Sequence, residues 1–162
     1  MSIDSAHKSK WEIAEIVFGI PFLVSIVLHF IVPLSLPQGI LRQALIPVGI
    51  ALFIIGIGLI ILARRELARY GQPTDPGHPT SRVVVTGVFA ISRNPLYLAS
   101  IMILLGVALA LNIGWACVTL VVSTIICHNV LIVPEENYLI TKFGEAYKAY
   151  TAKVHRWLGR RK

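Results

Sequence analysis

Charge is scarce in this sequence. Lys, Arg, Asp and Glu make up 14% of its 162 residues, where a soluble domain carries roughly 25%, and the mean hydropathy is +0.74. The scarcity is concentrated. The 20 residues from Ala44 to Ala63 contain no charge, and none lies between Asn94 and Pro134. Runs of that kind exclude an ordinary water-soluble domain. Cysteine is scarce too: Cys117 and Cys127 stand alone in an apolar run, with no metal-ligand pattern and no disulfide framework, so they read as packing residues. There is no Gly-rich dinucleotide loop, and no carboxylate inside an apolar run, where a proton-coupled exporter generally needs one.

What is there is apolar and helical in length. About 20 apolar residues cross a hydrocarbon core of about 30 Å, so 44–63 suits one crossing. The uncharged stretch 94–134 is too long for one and about right for two, with Asn112 and Gly114 placed for a tight turn between them. A further run lies between Ile16 and Leu36. Four transmembrane helices follow, over about 14–36, 42–64, 96–111 and 114–133. Gly49, Phe53, Gly56 and Ile60 recur at helical spacing, a stripe for close helix packing. His29 belongs to the far interface and Trp11 to the near one. Of the 15 basic residues, Arg42 alone falls in the first loop, and the other 14 lie on the opposite side. The positive-inside rule then puts both termini and the 65–95 loop in the cytoplasm. The net charge of +7 is explained by segments resting on an anionic leaflet and gives no argument for nucleic acid.

The chemistry-bearing residues gather on that cytoplasmic side. "GQPTDPGHPTSR" is loop, and "RVVVT" at 82–86 is a short β-like run ended by Gly87. Pro95 disfavours helix at Asn94 and suits the first turn of the next helix, which therefore starts at Pro95. First-turn amides have no intrahelical acceptor, and the positive end of the dipole favours a negative group there. In "CHNVLIVPEENYL" (127–139), His128 and Asn129 are polar at membrane depth. Glu135 and Glu136 follow each by seven residues, nearly two turns, so an uninterrupted helix puts His128 with Glu135 and Asn129 with Glu136. In the tail, Phe143, Tyr147, Tyr150, Val154, Trp157 and Leu158 form an aromatic stripe. That stripe reads as a C-terminal amphipathic helix on the membrane surface.

"SRVVVTGVFAISRNPLY", a hydrophobic hairpin, and then "EENYLITKFGEAYKAYTAKVHRWL" resemble the isoprenylcysteine carboxyl methyltransferase and phospholipid methyltransferase superfamily of integral membrane enzymes. The resemblance covers roughly residues 70–160. It implies an S-adenosyl-L-methionine cofactor held by Ser81, Arg82, Val83, Val84, Phe89, Asn94, Pro95, Leu96, Tyr97 and Glu135. Arg93, His128 and Glu136 are then the candidate catalytic residues, with His128 or Glu136 as a base where the acceptor needs one. A carboxylate, exposed amides and aromatic surfaces suit a ligand carrying a sulfonium, an ammonium and a carboxylate. Four positions depart from the eukaryotic carboxyl methyltransferase pattern. Ser81 and Asn94 stand where it has His, and Phe89 where it has Tyr. Leu131 stands where its substrate-holding arginine would be, and Leu131 cannot pair with a carboxylate.

The expectation is thus an all-α membrane protein of one domain, residues 1–162. It has four transmembrane helices, a cytoplasmic cofactor-binding loop and a C-terminal amphipathic helix. It would transfer a methyl group to a lipophilic acceptor, isoprenylcysteine-like or phospholipid-like, that enters from the lipid bilayer. The competing readings are an NADPH-dependent membrane reductase of related fold and a non-enzymatic four-helix protein or exporter.

Overall fold

The computed structural model describes residues 14–73 and 80–161. Its order is α1 (Ala14–Ile31), α2 (Ile40–Arg69), a 3-10 turn (Gly87–Ala90), α3 (Pro95–Leu111), α4 (Gly114–Ile126), a π-helical segment (Cys127–Ile132), α5 (Val133–Phe143) and α6 (Glu145–Lys153). The helix from Gly114 to Phe143 is continuous. With α1 and α2 it is one of three helices in the described residues long and apolar enough to cross a membrane, and α3 is a shorter apolar helix. Trp11, the basic residues Lys8 and Lys10, residues 74–79 of the "GQPTDPGHPTSR" loop and Lys162 lie outside the described residues.

The chain groups into two compact units. One comprises Ala14–Gly58 and Tyr97–Cys127. Here α1 packs on α4 through Phe22, Ile26 and Cys117 around Ala108, Ile113 and Ala116. Helices α2 and α3 meet at glycines: a Cβ on Gly49 would lie 2.6 Å from the Gly106 carbonyl oxygen, and one on Gly106 2.6 Å from that of Gly49. The expected glycine stripe is therefore a backbone-to-backbone contact. Asn112 takes a left-handed φ of 63°, as the expected turn requires. Its Oδ1 accepts from the Leu36 amide at 2.9 Å, while Trp115 Nε1 donates to the Val32 carbonyl at 2.7 Å. Arg42, the basic residue that breaks the charge asymmetry, donates to the carbonyls of Leu109 and Ala110 at 2.5 and 2.7 Å. It caps the C-terminus of α3, where a cation complements the dipole.

The other unit comprises Leu59–Leu96 and His128–Lys162. Three expectations are corrected in it. The run 82–86 forms no strand; its residues have β propensity, but a strand needs a partner, and among the described residues none is offered. Past Cys127 the helix continues, but as a π segment and not with regular α-helical spacing. Pro134 has no amide hydrogen and clashes with the carbonyl four residues back, and the helix widens over the turn before it. The long amphipathic tail helix is broken at Gly144, φ 52°, and ends at Lys153. Beyond it the chain folds back, with a bridge between Val154 and Arg160. The first part of the aromatic stripe still buries itself: Tyr147, Tyr150 and Val154 form a core with Val83, Leu139 and Phe143 packed on it, while Leu158 is exposed.

Candidate active site

The second unit holds a charged cluster centred on Glu136. The first turn of α5 carries the carboxylate. The loop before α3 brings Arg93, whose Nη1 lies 2.9 Å from Glu136 Oε1; the two side chains are 5% and 12% exposed. The folded-back C-terminal segment brings Arg156, which grips the same carboxylate with both prongs, Nε to Oε1 at 2.9 Å and Nη2 to Oε2 at 2.6 Å. Such two-point pairs fix geometry as well as charge. The hydrogen bond to Glu136 raises the pKa of Arg156 further above its already high value. The third Arg156 nitrogen, Nη1, lies 3.4 Å from His128 Nε2.

Backbone bonds hold this arrangement. The Arg93 amide donates to the His155 carbonyl at 3.2 Å, and the Gly159 amide to the Ile91 carbonyl at 2.7 Å. Asn94, buried, donates its side-chain amide to the Arg156 carbonyl at 3.1 Å. Tyr150 donates its hydroxyl to the Phe89 carbonyl at 2.6 Å. The motif 89–94 and the segment 155–159 are therefore stitched together from both sides. Tyr147 is buried close to Arg93 and Glu136. Burial pushes its phenol up to about 12, the negative charges of Glu136 and Glu135 add to this, and the charge and hydrogen bond of Arg93 oppose it. Burial also raises the pKa of Tyr150.

The 80–86 loop is organised separately by Gln72, which is buried. Its Oε1 accepts from the amides of Ser81 and Arg82 at 2.8 and 3.2 Å, and its Nε2 donates to Ser81 Oγ at 2.7 Å. Arg82 stacks on the Tyr70 ring, 4.7 Å from its centroid, and the Thr86 hydroxyl bonds Glu66 and Tyr70.

The three candidate catalytic residues thus fall together: Arg93 binds Glu136, and Arg156 joins Glu136 to His128. The structure adds a link that spacing by seven residues does not give: His128, on the π segment, shares its arginine partner with Glu136. Glu135 is half-buried, near enough to Tyr147 to affect its phenol. Ser81 and Arg82 are exposed, Val83 and Phe89 half-buried, and Val84 and Pro95 buried. Leu96 closes this unit, and Tyr97 belongs to the other. Arg156 and Gln72 were not legible as parts of a site. A carboxylate this shielded needs a cation, which signals that one of the tail's basic residues returns to it, though not which.

The sequence model of the phospholipid methyltransferase family matches residues 45–146, more than half of the chain. The chain belongs to this family. It is thereby a member of the superfamily that also contains the isoprenylcysteine carboxyl methyltransferases, and a membrane methyltransferase by family. The match takes in Arg93, His128 and Glu136 and ends before Tyr147, Tyr150 and Arg156. A protein of Haemophilus influenzae named only "Uncharacterized protein" is 36% identical over 63 residues, which covers 39% of this chain and 100% of that protein. No solved structure matches the chain.

Proposed function

We propose that this family member is an integral membrane, S-adenosyl-L-methionine-dependent methyltransferase whose acceptor is lipophilic. The observation that carries the reading is the Arg93–Glu136–Arg156–His128 cluster, whose ion pair Arg93–Glu136 joins the two motifs that carry the family likeness. The donor set suits the cofactor. Arg93 is buried, yet its Nε has no hydrogen-bond partner among the described residues, and an orphaned guanidinium donor suits a carboxylate. Glu135, on the first turn of α5, suits an ammonium or sulfonium.

The segment 81–96 and Glu135 would hold the cofactor. When bound, it supplies a methyl group on a sulfonium, ready for in-line displacement. The chain's own work is then to orient the two partners and keep water out, which can supply much of the rate. Glu136 accepts three hydrogen bonds from two guanidiniums, so its task is to hold Arg93 and Arg156. His128 is left as the group that addresses the acceptor. With α3 as the fourth crossing, about 26 Å long at 1.5 Å per residue, the chain would pass the bilayer four times. The site and both termini would then be cytoplasmic, with the acceptor entering from the lipid.

Calorimetry of the purified protein with S-adenosylhomocysteine tests this. Binding is expected, weakened on Glu135→Ala. A folded protein that binds none of it would overturn the reading.

A further inference from the structure

We propose that Arg156 is a positioning residue that sets the tautomer of His128, so that the imidazole meets the acceptor as a hydrogen-bond donor through Nδ1. The inference rests on the methyltransferase reading for its functional consequence, but its chemistry comes from the contact itself. A guanidinium has only donors. The 3.4 Å approach of Arg156 Nη1 to His128 Nε2 is a hydrogen bond only when Nε2 carries the lone pair. In neutral imidazole the proton must then sit on Nδ1.

Arg156 is not free to adjust. Its other two nitrogens are locked on Glu136 at 2.9 and 2.6 Å, Glu136 is held by Arg93 at 2.9 Å, and the Arg156 carbonyl is held by Asn94 at 3.1 Å. The π segment lets His128, on the other side of Pro134 from Glu136, reach the third nitrogen of the same guanidinium. The result is a relay of fixed polarity: carboxylate, guanidinium, imidazole, with an N–H as the remaining ring group. While the relay holds, His128 orients an acceptor and does not deprotonate it through Nε2. The acceptor class that fits brings its own lone pair and needs no base, such as an oxyanion.

The test is the long-range nitrogen–proton NMR correlation pattern of histidine-labelled protein in detergent micelles, with the His128 signal assigned by His128→Asn. At a pH where the ring is neutral, a protonated Nδ1 and bare Nε2 are expected. Arg156→Gln should move the ring toward the Nε2–H form that free imidazole side chains favour. Arg156→Lys, which keeps a donor without the fork, should move it less. A protonated Nε2 in the unaltered protein overturns the proposal, and so does a tautomer indifferent to Arg156→Gln in a protein that keeps its helical circular dichroism. If Arg156→Gln does not fold, the unaltered protein and Arg156→Lys decide it. The readout needs no cofactor, so absence of S-adenosylhomocysteine binding would sink the enzymatic reading and leave the tautomer result standing.

Discussion

Glu136 is gripped by Arg156 from 20 residues further along the chain, while Arg93 takes its remaining approach. The two arginines are not equivalent. Arg156 is 31% exposed and Arg93 5%, so on loss of the carboxylate Arg156 can turn to water and Arg93 cannot.

Glu136→Ala is therefore expected to destabilise strongly, on the order of 3–5 kcal/mol, the cost of stranding a buried charge. The paired replacement Arg93→Met with Glu136→Leu should cost less than Glu136→Ala alone, because no buried charge is left over. Apparent Tm in detergent, followed by circular dichroism, distinguishes the two. A double variant that is worse than the single one would show that Arg93 is not stranded.

Much of the frame was legible in the sequence because it depends on local chemistry. Pro95 starts α3 because a proline fits a first turn, and Asn112 makes its turn because it tolerates the left-handed region. The glycine stripe of α2 marked a packing face. What was illegible depends on distant partners or on a small shift in period. The run 82–86 has strand residues but no partner strand among the described residues. Pro134 was visible as a disturbance, but α-helical periodicity could not show that the helix would widen before it, or that His128 would meet the arginine that holds Glu136. Arg156 reaches the site because Gly144 breaks the tail helix and 155–159 doubles back on 91–94 through backbone bonds, which leave no residue pattern.

The α2–α3 contact makes a contrast within one helix. A methyl at Gly49 would meet the Gly106 oxygen at 2.6 Å and the Ala110 nitrogen at 2.7 Å, whereas at Gly58 nothing among the described residues lies within 4 Å. Gly49→Ala and Gly106→Ala should each lower stability by about 1–3 kcal/mol. Gly58→Ala should be neutral or mildly stabilising, by up to ~1 kcal/mol, from helix propensity. Thermal unfolding of the three variants side by side checks the ordering. Equal effects at Gly49 and Gly58 would rule out close contact.

Asn112 does two jobs that substitution can separate. It holds φ at 63° and accepts the Leu36 amide at 2.9 Å. Asn112→Gly keeps the backbone freedom and loses the bond, at about 1 kcal/mol. Asn112→Ala loses the bond and adds the strain of a left-handed alanine, about 1–2 kcal/mol more. The expected order of apparent Tm is native, then Gly, then Ala. An alanine variant as stable as the glycine variant would mean that the turn tolerates a different backbone.

Tyr147 gives the fold a limit on the alkaline side. Its phenol is raised from 10 to about 12, chiefly by burial, so the folded state retains a proton that the unfolded chain has begun to give up. The contribution is therefore fully present below about pH 10 and lost as pH rises through 12, with a total on the order of 3 kcal/mol. Tyr150, also raised by burial, acts in the same direction. Stability is expected to be flat with respect to this group at neutral pH and to fall above pH 10. Tyr147→Phe, which cannot ionise, should show a shallower fall over the same interval, even where its stability at pH 8 is reduced by the lost hydrogen bond to Arg93. Chemical denaturation at a series of pH values, compared for the two proteins, measures the difference in slope. Identical slopes would show that Tyr147 does not lie in the buried setting described.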